Sequence, residues 1–152
     1  MPSYHVRTTS SASPDTVWRL LVDGRSWPSW SSGLDELVEP RSSGLDPNGR
    51  DGVGSVRAFR TGRTVAAERL VELVENRKMT YEDVFNPALR DYRAEIRLEP
   101  NTNGGTAISW QGSWHARPGV GWLMPFILPG IMQRMADDLA TYAARIDDEH
   151  SR

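Results

Sequence analysis

The sequence has no cysteine, which excludes disulfides, thiolate metal sites and a catalytic thiol together. It has no long apolar run either. The most apolar stretch, residues 122–132, is interrupted by Pro125 and Pro129 and falls well short of the roughly 20 residues that span a bilayer. Basic residues do not cluster: 18 Lys and Arg are scattered among 20 Asp and Glu, for a net charge of −2. With no phosphate-tracking stripe, nucleic acid is not an expected partner. Histidine is scarce, and His5, His115 and His150 form none of the HxH or HExxH spacings of a metal site, so no metal is expected. There is no GxSxG elbow, no P-loop and no GxGxxG between a strand and a helix. The glycine-rich stretch 49–54 has the wrong order for cradling phosphate, and no cofactor is expected. Residues 1–13 lack the basic start, apolar run and cleavage site of a secretory signal, so the sequence predicts a cytoplasmic protein.

What remains is a chain of 152 residues with six tryptophans. That length fits one domain, residues 1–152, and buries roughly 68–70% of its unfolded surface. Residues 4–10 read as a first strand. The period then changes: Ser13-Pro14-Asp15 combines a helix cap, a first-position proline and an acidic first turn, and Val17, Leu20 and Leu21 follow at helical spacing. This first short helix stops near Gly24. Ser26-Trp27-Pro28 repeats the cap-and-proline logic for a second, running to about Ser32. After a short strand at 34–39, residues 40–54 read as a long loop.

From residue 55 the pattern is a series of strands, 55–60, 64–74, 79–85, 92–99 and 106–116, joined by links short enough for antiparallel hairpins. Tyr92, Ala94, Ile96 and Leu98 alternate with Arg93, Glu95, Arg97 and Glu99, and Ile108, Trp110, Gly112 and Trp114 alternate with Ser109, Gln111, Ser113 and His115. Such strands have one dry and one wet face. Leu128, Met132, Met135, Leu139, Tyr142 and Ile146 then recur at steps of three and four, the stripe of a long amphipathic helix. From 130 to 147 that helix is about 27 Å long and lies along the sheet.

These elements and several local motifs carry a resemblance over nearly the whole chain. The motifs are Ser13-Pro14-Asp15-Thr16-Val17-Trp18, Trp27-Pro28-Ser29-Trp30, Val53-Gly54-Ser55-Val56-Arg57, Glu72-Leu73-Val74-Glu75 before Arg77-Lys78-Met79-Thr80-Tyr81, and Gly105-Thr106-Ala107-Ile108-Ser109-Trp110. The chain resembles bacterial polyketide cyclase/dehydrase-like members of the START and plant-allergen-like (SRPBCC) superfamily. The resemblance implies an α+β helix-grip fold: a curved antiparallel sheet of about seven strands around a long C-terminal helix, with two short helices after strand 1. It also implies an internal cavity, with its mouth near the N-terminal end of that helix. The superfamily is functionally mixed, so fold does not choose the activity.

Trp110, Trp114, Met79, Tyr81, Phe85, Tyr92 and Ile96 would face such a cavity, either lining a site for a ring-containing ligand or forming solid core. Leu128, Met132 and Met135 would line it from the helix, methionine being adaptable. Asp83 shares register with Tyr81 and Phe85; a buried unpaired acid has a raised pKa and suits acid–base chemistry, whereas a rim position or an ion pair to Arg69 or Arg57 is the plainer reading. Arg69 alternates with Ala67, Val71 and Leu73, so its charge needs a protein acid or a ligand carboxylate, or the side chain snorkels to the surface. Residues 122–129 are apolar all round, and either close the cavity's end or form a lid, a membrane contact or a dimer interface. Two functions follow. One is a carrier or sensor of a small hydrophobic molecule such as a lipid, quinone or polyketide, monomeric or homodimeric. The other is a polyketide aromatase/cyclase or dehydratase, with Asp83, Tyr81 and Tyr92 as its acid–base candidates.

Overall fold

A computed structural model describes residues 2–150. Seven strands, β1 (Ser3–Ser10), β2 (Glu36–Leu37), β3 (Val56–Thr61), β4 (Thr64–Val74), β5 (Lys78–Phe85), β6 (Leu89–Pro100) and β7 (Thr106–Ala116), form one antiparallel sheet. Its order is β1-β7-β6-β5-β4-β3-β2. Every neighbouring pair from β3 to β7 is a hairpin, whereas β1 pairs with β7, its most distant strand in sequence. The turns are built for this: Gly62, at φ 61°, closes the β3–β4 hairpin and Asn76, also at φ 61°, the β4–β5 hairpin, both in the left-handed region that glycine and asparagine tolerate.

Helices α1 (Pro14–Val22) and α2 (Trp27–Trp30) follow β1, and α3 (Met124–His150) ends the chain. The Ser13 hydroxyl accepts the Thr16 N–H at 3.3 Å, with Pro14 opening α1, the cap expected from the sequence. Helix α3 starts earlier than its periodic stripe. Pro125 falls in the first turn, where amide hydrogens have no helical partner, and Pro129 forgoes one internal hydrogen bond without ending the helix. Its fully covered face runs through Leu128, Met132, Ala136, Leu139, Ala140 and Ala143, while Met135, Tyr142 and Ile146 lie half-buried at the edge.

Side-chain hydrogen bonds lock α3 to the chain's opening segment. Ser10 Oγ donates to the Ala140 carbonyl at 2.7 Å, and Asp147 accepts both the Ser13 N–H, at 2.7 Å, and the Thr16 hydroxyl. Asp138 likewise accepts the Ser32 N–H and hydroxyl just beyond α2. The inner face of the sheet therefore looks onto α1, α2 and α3, and β5–β7 present Met79, Tyr81, Tyr92, Ala94, Ile96, Trp110 and Trp114 to them, all buried. No helix among the described residues is long and apolar enough to cross a membrane.

Strand β4 departs from strict alternation. Its pairing with β5 shifts between Ala67 and Glu68, where the extra residue is Val84 of β5, and again between Leu70 and Glu72, where it is Val71 of β4; each bulge flips the face presented by the residues beyond it on the strand that carries it.

Candidate functional site

Most of the space between sheet and helices is filled by aromatic rings. Trp27 of α2 is the central plug: its ring centroid lies 5.7 Å from Trp110, 6.5 Å from Tyr81 and 5.5 Å from Phe59, stacked on the last. Its indole N–H donates to the Leu21 carbonyl at 3.0 Å, so the ring is fixed by polar contact as well as packing. Trp110 and Trp114 are fully buried.

A chain of polar groups runs through this apolar interior. Trp110 Nε1 donates to the Tyr81 hydroxyl at 3.1 Å, Tyr81 and Tyr92 hydroxyls are 3.4 Å apart, and Tyr92 shares a short hydrogen bond with Tyr4. Tyr4 reaches the chain because its strand partner is Gly112; a Cβ at that position would come within 2.7 Å of the Tyr4 ring. Burial raises all three phenols well above their ordinary pKa, reinforced by their proximity to one another.

Beside this chain lies a buried charge cluster. Arg57 on β3 is completely enclosed. Its guanidinium donates to the Leu21 carbonyl at 2.8 Å, lies 3.4 Å from Glu68 and 3.9 Å from Asp51, and sits 4.5 Å from the Trp27 ring centroid. Gly24 permits this approach, since a Cβ there would meet Arg57 Cδ at 2.6 Å. Asp51 is itself held by the Gly24 and Asp46 amides. Burial pushes the Glu68 carboxyl up to about 7, Arg57 pulling the other way without cancelling it.

Glu68 borders a pocket of about 130 Å³ between the β3–β4 hairpin, the segment after α2 and the β5–β6 loop. Leu34, Phe59, Ala66 and Ala67 form its apolar walls, and Glu68, Asn86 and Tyr92 add polar groups. This is where the apolar interior, the phenol chain and a carboxyl meet the surface. Larger clefts lie on the outer sheet face and beside α1; of the three phenols only Tyr4 borders one of them. Among the described residues no group of three or more His, Asp or Glu side chains is arranged to hold a metal ion.

The residues singled out from sequence divide. Tyr81, Tyr92, Met79, Ile96, Trp110, Trp114, Leu128 and Met132 are buried on the inner side, with Met135 at its margin. Two are corrected. Arg69 is exposed and Glu68 turns inward instead, in step with Leu70, because the bulge at Val71 breaks the alternation that would join Arg69 to Leu73. Phe85 is 45% exposed: β5 runs past the last residues that pair with β6, and Arg41 covers the ring's face from 5.0 Å. Asp83 is half-buried and does not line the pocket. Burial raises its pKa, while the backbone N–H groups of Tyr92 and of Asp83 itself hold it down. Glu68, Asn86, Arg57, Trp27 and Tyr4 were not singled out for a site. Tyr4 alternates with Val6, and Glu68 lies on the period-two frame of Ala66 and Leu70, so each carried a signal that competed with an equally apolar alternative.

Near the start of α3, Trp122 and Phe126 are 68% and 81% exposed, with Ile127 and Ile131 beside them at 44% each. Arg117 anchors the preceding segment to the β5–β6 loop by donating to the Asn86 and Leu89 carbonyls.

A family model described as "Polyketide cyclase / dehydrase and lipid transport" matches residues 1–144. No curated protein matches the sequence. Among solved structures, a START superfamily protein from Mycobacterium smegmatis superposes with a TM-score of 0.77 at 13% identity, over 96% of this chain and 99% of that one. The di-domain ARO/CYC StfQ from the steffimycin biosynthetic pathway gives 0.75 at 11% identity, over 96% of this chain and 51% of that one, so this chain corresponds to half of the two-domain protein. The Aha1 dimer from Colwellia psychrerythraea gives 0.65 at 18% identity, over 92% and 97%. These likenesses establish the helix-grip fold.

Proposed function

The chain belongs to the polyketide cyclase/dehydrase and lipid transport family, and from that premise we propose that it binds a small hydrophobic molecule at the pocket bounded by Phe59, Glu68, Asn86 and Tyr92. The observation that carries this reading is the meeting of a carboxyl and a phenol with apolar walls where the packed interior opens to the surface. Ligand sites combine those ingredients: mostly apolar lining with a few placed polar groups. The pocket is small because Trp27 and Trp110 fill the space behind it, so the bound part of the ligand is a ring or a chain end, with any remainder in solvent. Native mass spectrometry of the purified protein, followed by denaturing extraction, tests this. A retained lipid, quinone or polyketide fragment supports it; an empty protein in which no apolar probe perturbs the amide resonances of the pocket residues refutes it.

A second reading, catalysis of cyclisation or dehydration, is favoured by Glu68 alone. A pocket carboxyl with its pKa raised to about 7 suits proton transfer near neutral pH, and Tyr92 is the adjoining hydroxyl. Glu68 takes the place that the sequence suggested for Asp83. Once a substrate is in hand, Glu68→Gln abolishing turnover without weakening binding supports an enzyme, and unchanged turnover removes Glu68 from any mechanism.

A further inference from the structure

We propose that this pocket recognises a ligand oxygen, holding one six-membered ring or chain end by a carbonyl oxygen placed between the Glu68 carboxyl and the Asn86 side-chain amide. The inference rests on the ligand-binding reading above and adds the chemical class. Size sets the first limit: an apolar cavity of about 150 Å³ accepts benzene, so about 130 Å³ accommodates one ring and not a fused pair.

The polar groups set the second. Asn86 Oδ1 accepts the Ala88 and Leu89 amides at 2.9 and 3.0 Å. Two N–H donors on that edge leave no ambiguity about which amide atom faces them, and the Asn86 NH₂ must lie on the opposite edge. It has no protein acceptor among the described residues, and Asn86 lines the pocket. Glu68 engages Arg57 through Oε1, and its second oxygen has no hydrogen-bond partner among the described residues. Arg57 itself disfavours a cationic ligand, because an ammonium in the pocket would bring a second positive charge close to the first. A ligand oxygen that accepts from both Asn86 and a protonated Glu68 satisfies every group present.

Protonation controls the second donor. The ionisable groups around Glu68 are Arg57 on β3, Asp83 directly opposite on β5, Tyr81 on β5, Tyr92 on β6 and Tyr4 on β1, with Asp51 beyond Arg57. Burial among them raises the Glu68 carboxyl to about 7. Below that value it donates to a carbonyl; above it the donor is gone and a negative charge faces the ligand oxygen.

The test compares acetophenone with ethylbenzene, which has the same ring without the oxygen, by amide chemical-shift titration of the intact chain at pH 5.5 and 8.5. Acetophenone should bind roughly tenfold more tightly at pH 5.5 than at 8.5, the size of one net hydrogen bond, while ethylbenzene is insensitive to pH. Glu68→Gln should bind acetophenone equally at both pH values. Asn86→Asp, which keeps the loop-holding oxygen and removes the NH₂, should lose the preference for acetophenone. If both probes bind at the pocket with equal affinity at both pH values, oxygen recognition is wrong and the ligand-binding reading survives. If neither probe shifts the pocket resonances of the wild-type chain, both fall.

Discussion

Glu68 and Arg57 behave as a unit, and the pH dependence of stability should reveal it. Because the Glu68 carboxyl is raised from 4.5 to about 7 in the folded chain, the folded state binds more protons than the unfolded state between those values. Its favourable contribution is complete below about 4.5 and is lost as pH rises through 7. Asp83 and Asp23, also raised by burial, act in the same direction, and Glu95, held down by Arg97, acts in the opposite one. Glu68→Gln should therefore match the wild type in urea denaturation at pH 5 and exceed it at pH 8, by an amount on the order of 1–3 kcal/mol. Arg57→Met should do the reverse. Removing the cation leaves Asp51 and an ionised Glu68 without their partner, at a cost of about 3–5 kcal/mol at pH 8, and less at pH 5, where Glu68 is already neutral. Equal losses at the two pH values would mean that Arg57 acts only by filling space. At this scale the sequence was legible for Tyr81, Tyr92 and the two inner tryptophans of β7, because a strand's alternation names its faces. It was not legible for Glu68 and Arg69: one bulge at Val71 takes them out of the frame set by Leu73, and no residue type marks it.

Helix α3 illustrates what an element owes to its neighbours. Its mid-section is fixed by a stripe of three- and four-residue steps, but its register on β1 and α1 depends on polar contacts such as those of Asp147 with Ser13 and Thr16. Asp147→Ala removes the acceptor at the start of α1 and is expected to cost about 1–2 kcal/mol, with amide exchange quickening in residues 13–17 more than in the sheet. The other end of α3 predicts a null result in stability. Trp122 and Phe126 are largely exposed, so replacing both by serine should change the unfolding free energy by no more than about 0.5 kcal/mol. Binding of a hydrophobic dye should fall measurably, the signature of an exposed apolar patch; unchanged dye binding would show that the patch is covered in solution, for example by a second copy of the chain.

In the molecule as a whole, the aromatic plug decides how much room a ligand has. Trp27 reaches from a four-residue helix to Trp110, Tyr81, Phe59 and Arg57 at once. Trp27→Ala should cost about 3–5 kcal/mol, as large-to-small changes at buried aromatic positions do, and should enlarge the pocket toward the interior; a loss below about 1 kcal/mol, by thermal or urea unfolding, would show that the inner space is loosely filled. The sequence by itself determined the order of elements, the antiparallel hairpins, the dry faces of β6 and β7 and the long closing helix, since periodicity, caps and turn residues are local signals carried within a few residues of one another. The tertiary structure alone decided that the buried aromatic rings leave a ring-sized pocket beside them, that Glu68 and not Arg69 faces inward, and that Arg57 is enclosed between α1, Trp27 and two carboxylates. Each of these depends on groups brought together from distant parts of the chain, where packing volume, bulge position and charge pairing are settled jointly and no single segment contains the answer.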